Sequence, residues 1–186
     1  AIDDEAKAMG ENLVAFFKTE VAEGRLPKNL LPLQSGVGSV ANAVINGLVN
    51  SDFEDLTVFT EVVQDGMFDL IDAGKLRVCS GPALSPSPDC LKKFYANVEK
   101  YKKYIVLRPQ EVANSPELAR RIGVIAMNTA IEVDIYGNVN STHIAGTKIM
   151  NGIGGSGDYA RNGFLTVFFT TSLAKGGAIS SVVPFC

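Results

Sequence analysis

Histidine occurs once in this chain, at His143, and cysteine three times, at Cys79, Cys90 and Cys186. One histidine excludes a His-rich zinc site, and any His-based triad has to use His143. Three widely spaced cysteines with no C-x-x-C do not form a disulfide framework; they suit a reducing compartment. No apolar run reaches the ~18 residues of a membrane span. No basic stripe with interleaved aromatics appears, and the net charge is −3, so nucleic acid is not an expected partner. The opening Ala1-Ile2-Asp3-Asp4-Glu5 is acidic and is not a secretory signal. Repeats and low-complexity tracts are absent.

What is present is an ordinary globular composition. Of the 186 residues 46% are hydrophobic and 20% charged, which excludes disorder and allows one domain with a real core. Residues 4–23 read as an amphipathic helix on Met9, Leu13, Phe16, Phe17 and Val21, stopped by Gly24. Pro27 and Pro32 make 25–34 an extended connector. A second helix is expected over 40–49, a strand over 56–60, a short helix around Met67, Leu70 and Ile71, and a strand over 76–79. A Pro-rich loop at 80–88 leads into a helix marked by Leu91, Phe94 and Val98, then a strand over 104–107. Ser115-Pro116-Glu117 is a helix start with a capping serine and proline at the first helical position. Residues 123–136 form the longest β-like run, ended by a Gly137-Asn138 turn, and further strands are expected over 164–171 and 178–183. Alternating strands and helices predict an α/β fold, with an open mixed or parallel sheet flanked by helices. The strand-like run that stops three residues before Cys186 suggests a chain incomplete at its end.

Four constellations are candidates for chemistry. Gln34-Ser35-Gly36-Val37-Gly38 precedes a helix, where glycines let backbone N–H groups approach an anion. With Ala41 it also fits G-x-G-x-x-A, the dinucleotide pattern, but two prolines upstream make a poor buried first strand. A plain tight turn is an equal reading. Thr60-Glu61 lies at a strand end, where functional side chains gather in open α/β sheets. A carboxylate is a nucleophile without a partner base, although a solvated strand-end glutamate is the plainer reading. Asn151-Gly152-Ile153-Gly154-Gly155-Ser156-Gly157-Asp158 places four glycines in six positions, a loop able to wrap a ligand with its N–H groups. It is not a Walker A loop. Around Asn138 to His143, Ser141 and Thr142 are too close to His143 for a nucleophile and base, and no G-x-S-x-G elbow exists, so His143 reads as a structural hydrogen-bonder. The Lys102-Lys103 and Arg120-Arg121 pairs read as solvated faces. For acyl chemistry the remaining design is a carboxylate nucleophile with backbone oxyanion donors.

Five segments carry a resemblance that covers nearly the whole chain in order. They are Leu-Pro-Leu-Gln-Ser-Gly-Val-Gly (31–38), Phe-Thr-Glu-Val-Val-Gln-Asp (59–65), Arg-Pro-Gln-Glu-Val-Ala-Asn (108–114), Asn-Thr-Ala-Ile-Glu-Val-Asp-Ile-Tyr-Gly-Asn (128–138) and Asn-Gly-Ile-Gly-Gly-Ser-Gly-Asp-Tyr-Ala-Arg-Asn (151–162). They resemble the succinyl-CoA:acetate CoA-transferase and acetyl-CoA hydrolase family. That resemblance implies a CoA-transferase-type α/β fold and makes 1–186 a C-terminal catalytic domain, without the N-terminal domain or C-terminal tail of the family's longer proteins. The tail would bring another active-site glutamate, so the isolated stretch is expected to lack full activity. The resemblance also implies transfer of CoA between an acyl-CoA and a small carboxylate, acetate or succinate foremost, through a glutamyl-CoA thioester on Glu61. Hydrolysis arises as a side reaction. Val37 and Gly155 match the family's oxyanion-hole N–H groups, and Asn114 an active-site amide. Leu33, Gln34, Ser35, Gly36, Val37, Ile131, Asn151, Gly155 and Lys175 match positions that contact CoA. Coenzyme A is then a substrate, no metal is required, and the partner is a second copy in a homodimer. Bacterial cytoplasm and mitochondrial matrix both fit. Two other readings stand beside it: a nucleotide-dependent oxidoreductase using the Gly36-Gly38 loop, and an inactive module that only binds or dimerises.

Overall fold

A computed structural model describes residues 4–186. The chain enters through helix α1, Asp4–Ala22, which buries Gly10, Leu13 and Phe17 along one stripe. Phe16, expected on that stripe, is 40% exposed, its ring tilted against that of Phe17. Helix α2, Ser39–Val49, crosses α1 where both helices carry glycine. A Cβ at Gly47 would lie 3.0 Å from the Gly10 carbonyl oxygen, so the two backbones touch. Helix α3, Asp65–Asp72, packs beside α2, and a Cβ at its Gly66 would press into Ile45.

Six strands form the central sheet: β1, Leu33–Ser35; β2, Leu56–Phe59; β3, Leu76–Gly81; β4, Ile105–Leu107; β5, Ile125–Thr129; and β6, Leu165–Phe169. Their spatial order is β6-β5-β1-β2-β3-β4, and every pairing is parallel. Parallel sheets are covered on both faces, which explains the unbroken apolar run around β5. Successive side chains alternate. Ile125 and Met127 enter the large core with Phe17, Leu33 and Val58, while Val124 and Ala126 face a smaller cluster with Phe59, Ala119 and Tyr159. Helix α4, Pro88–Ala96, starts at the last residue of the expected loop, with Ser87 accepting from the Cys90 N–H, and ends before Val98, which opens a separate turn, Val98–Tyr101. Helix α5, Pro116–Ile122, begins as its sequence predicts, with Ser115 accepting from the Leu118 N–H. Among the described residues no helix is long and apolar enough to cross a membrane.

Three expectations change. The connector 25–34 gives up its end to β1, which lies inside the sheet between β5 and β2. Pro32 is tolerated because it precedes the strand, where its carbonyl still accepts from the Ile125 N–H at 2.8 Å. The run 123–136 is not one strand. After Thr129 the Ile131 N–H bonds to the Asn140 carbonyl, and Glu132–Asp134 joins a separate small sheet. Its Gly137 turn does form, held by the Asp134 carboxylate accepting from the N–H groups of Tyr136 and Asn138. The run 178–183 is two two-residue pieces, Ile179–Ser180 and Val182–Val183, with Ile179 and Val182 exposed, so it is no buried strand.

Asp72, at the end of α3, ties that helix to the 93–101 segment. Burial pushes its carboxyl up, but hydrogen bonds from Lys100, Lys93 and Tyr101 outweigh this and hold it below the usual carboxylate range. The Tyr101 hydroxyl donates at 3.0 Å and its ring is wholly buried against Phe68. A depressed carboxylate contributes stability above its unfolded pKa and loses it as pH falls through the folded value. Asp72→Asn is therefore expected to unfold at lower urea at neutral pH, by about 1–2 kcal/mol for a hydrogen-bonded charge. The gap from the parent should close as pH falls below about 4; an unchanged gap would remove the carboxylate as its cause.

Candidate active site

The strand order reverses at β1. From there the chain moves outward through β2, β3 and β4, then returns to place β5 and β6 on the other side. Open α/β sheets bind ligands outside the carboxyl ends of the strands at such a switch point. A cavity of about 340 Å³ lies there, walled by the residues that follow β1, β2 and β5 and by the 151–156 loop.

The floor is a buried pair of amides. Gln34 Nε2 donates to Asn128 Oδ1 at 3.1 Å, and Asn128 Nδ2 donates to Gln34 Oε1 at 2.9 Å. The pair satisfies both side chains and ties the ends of β1 and β5 together. Gly36 follows, where a Cβ would stand 3.1 Å from Asn128 Oδ1. Gly38 takes φ 110°, a conformation that favours glycine, and α2 begins at the next residue. Between them the Val37 N–H has no acceptor among the described residues, and its side chain is exposed.

Glu61 lies two residues past the end of β2 and reaches the opposite wall. The Gly155 N–H donates to Glu61 Oε2 at 3.1 Å, linking positions 94 residues apart. A side chain at Gly155 would overlap both the Glu61 carboxylate and the Asn114 amide nitrogen, so these two groups pack against one glycine face. Asn114 ends the short turn Gln110–Ala113, and its Oδ1 is buried without a hydrogen-bond partner among the described residues. Tyr159, in helix α6 (Ser156–Ala160), fixes that turn: its hydroxyl donates to the Ala113 carbonyl at 2.5 Å. Burial, reinforced by the charge of Glu61, pushes the Tyr159 phenol far up, so it stays a donor. Tyr159→Phe leaves the Ala113 carbonyl buried without this bond and is expected to destabilise the fold by about 1–2 kcal/mol in urea unfolding. No change would mean that another donor takes over.

The structure thus brings together Gln34, Ser35, Gly36, Val37, Glu61, Ile131, Asn151 and Gly155 as cavity wall, with Asn114 behind Gly155. Two predicted contacts fall elsewhere. Leu33 is fully buried in the large core, because alternation turns it away from the crevice. Lys175 is exposed in the turn between Leu173–Ala174 and Ile179–Ser180 and is not part of the wall. His143 is a hydrogen-bonder, its Nδ1 2.8 Å from Thr142 Oγ1, and Ser141 donates to the Thr129 carbonyl. Burial pushes the thiols of Cys79 and Cys90 up to about 12 and about 11. Sequence reasoning missed Asn128, Gln64 and Tyr159. The available signal for Asn128 and Gln64 was a polar residue beside an apolar run, and for Tyr159 an aromatic inside a polar, glycine-rich stretch.

Comparison with known proteins adds an independent line. The family model for the acetyl-CoA hydrolase/transferase C-terminal domain matches residues 91–186. A succinyl-CoA:acetate CoA-transferase from Clostridium kluyveri is 61% identical over 179 residues, covering 96% of this chain and 33% of its own length. An acetyl-CoA hydrolase from Neurospora crassa is 47% identical over 188 residues, 99% of this chain and 36% of its own. The chain therefore spans about a third of the length of the curated relatives it matches. Among solved structures, a 4-hydroxybutyrate CoA-transferase from Porphyromonas gingivalis shares the fold at a TM-score of 0.70 and 19% identity, over 99% of this chain and 43% of its own.

Proposed function

The chain belongs to the acetyl-CoA hydrolase/transferase family, and from that premise we propose that its cavity transfers CoA from an acyl-CoA to a small carboxylate through a covalent glutamyl-CoA thioester on Glu61. The proposal concerns the whole protein, in which this stretch is the C-terminal catalytic domain, paired with an N-terminal domain and with a second copy of the protein. The observation that carries it is the Gly155 N–H held on Glu61 Oε2 at 3.1 Å in the wall of the switch-point crevice. One carboxylate oxygen is fixed by a backbone donor while the other remains to attack.

The chemistry balances without a metal, a redox step or a net proton. A Glu61 oxygen attacks the thioester carbonyl, the C–S bond breaks, and CoA leaves as thiolate from an acyl-glutamyl anhydride. The thiolate attacks the glutamyl carbonyl, the anhydride C–O bond breaks, and the donor carboxylate departs. The acceptor carboxylate attacks the resulting glutamyl thioester and expels thiolate, forming the second anhydride. Thiolate then attacks its acyl carbonyl, releasing the new acyl-CoA and free Glu61. Each addition places negative charge on a carbonyl oxygen, and pre-aimed N–H donors stabilise that charge most effectively. The Val37 N–H, free of acceptors among the described residues, and the Gly155 N–H supply such donors. The buried Oδ1 of Asn114, without a partner among the described residues, supports a role for that amide at the reacting centre. Acetate and succinate are the leading substrates. Water attacking the glutamyl thioester gives acetyl-CoA hydrolysis, the side reaction of the same intermediate.

The test is peptide mass spectrometry on the protein with its flanking segments, incubated with acetyl-CoA. A CoA adduct confined to the peptide holding Glu61, and lost in Glu61→Ala, is the expected result. Absence of an adduct with turnover intact in Glu61→Ala overturns the proposal and returns attention to the glycine loops as a nucleotide site.

A further inference from the structure

Gln64 occupies the position just before α3, where short capping side chains are usual. Its side chain does not cap its own helix. It is buried at 7% exposure and reaches back to the loop after β1. There Nε2 donates to the Gly36 carbonyl at 2.7 Å, and Oε1 accepts from the Gly38 N–H at 3.3 Å. The two bonds straddle Val37. They hold the residue on each side and leave the Val37 N–H as the loop's uncommitted donor.

The same segment carries Glu61, three residues earlier. A second tie lies between them and β1: Thr60 Oγ1 donates to the Ser35 carbonyl at 3.1 Å. The segment 60–64 therefore grips the end of β1 at two points, one on each side of Glu61. Gln64 is not part of the cavity wall and makes no contact there with substrate space.

We propose that Gln64 is a positioning residue, which sets the aim of the Val37 N–H relative to the Glu61 carboxylate. This rests on the Glu61 and Val37 roles proposed above. The task requires an amide. One donor and one acceptor are needed together, spaced to reach a carbonyl and an N–H two residues apart. Methionine keeps the length and offers neither. Glutamate offers only acceptors when ionised and turns one against the Gly36 carbonyl.

An oxyanion donor is worth roughly 10²–10³ in kcat, and a misplacement near 1 Å can cost ~10². Gln64→Met is thus expected to lower kcat for CoA transfer by about 10- to 100-fold, with the KM for acetyl-CoA within about twofold. A group that acts only in the transition state gives that split. In the protein with its flanking segments, the CoA adduct on Glu61 should still form in Gln64→Met, at a rate reduced by the same factor. Gln64→Glu keeps the side-chain size and carries the same expectation if Gln64→Met does not fold. A kcat within twofold of the parent in a folded variant overturns the positioning role, as does a raised KM with kcat unchanged. The parent's own adduct separates the two levels. If it forms on Glu61 and Gln64→Met forms it equally fast, only the Gln64 inference falls. If the parent forms none and Glu61→Ala keeps its activity, the Glu61 reading falls and takes this inference with it.

Discussion

Glu61→Gln is expected to lower CoA transfer between acetyl-CoA and a carboxylate acceptor by roughly 10⁴-fold or more, the scale seen when a covalent nucleophile is removed. The substitution keeps the shape of the side chain and keeps an oxygen for the Gly155 N–H, which now donates to Glu61 Oε2 at 3.1 Å. Folding should therefore be nearly unchanged, and urea unfolding should confirm it. What disappears is the negative charge and with it the nucleophilic attack proposed for Glu61. Glu61→Asp retains the charge but withdraws the carboxylate by one methylene from a site where it is held across 94 residues of sequence. A displacement near 1 Å is expected to cost about 10²-fold. The order parent, aspartate, glutamine is the signature of nucleophilic catalysis. Exchange of labelled acetate into acetyl-CoA measures it directly. Equal losses for aspartate and glutamine would instead point to a carboxylate that only binds.

How much of this was legible in the sequence follows from the range of the interactions. Helix starts were readable because their causes are local: Ser115 lies within one turn of the Leu118 N–H it satisfies, and Pro116 supplies the fixed φ of the first helical position. The α/β class and the strand-end position of Glu61 were readable from alternation and punctuation. The central place of β1 was not. Pro27 and Pro32 argue against a buried strand, and only the 2.8 Å bond from Ile125 to the Pro32 carbonyl shows how three residues suffice. The break after Thr129 was also invisible. β-propensity is the same on both sides, and what separates them is pairing with Phe169 on one side and Asn140 on the other. In the site, the two glycine loops and Glu61 were each visible alone, but their meeting was not. That meeting is set by the strand order, which no local pattern encodes. Leu33 and Lys175 lie outside the cavity wall, because adjacency to a glycine loop, or a positive charge, does not set which way a side chain faces. Gln64 carries no local signal, because the groups it bonds lie 26 and 28 residues away.

Gly155→Ala is expected to be the most damaging single methyl group in the site. Gly155 has φ −85° and ψ −4°, a backbone that alanine adopts without strain. Its N–H also survives the change. Any effect must therefore come from the added Cβ, which would overlap the Glu61 carboxylate and the Asn114 amide. Overpacking a fixed site costs about 1–3 kcal/mol of stability. Moving the Glu61 carboxylate away from its donor is expected, on the proposed mechanism, to lower kcat by roughly 10²–10³-fold, as for loss of an oxyanion-hole contact. The cause can be isolated by combining the change with Glu61→Asp, whose shorter side chain vacates part of the contested space. If the clash with Glu61 drives the loss, Gly155→Ala should cost clearly less in the Glu61→Asp background than in the parent. Neighbouring groups that share one contact are not additive. Strict additivity of the two substitutions would instead place the damage at Asn114, and Asn114→Ala should then relieve it.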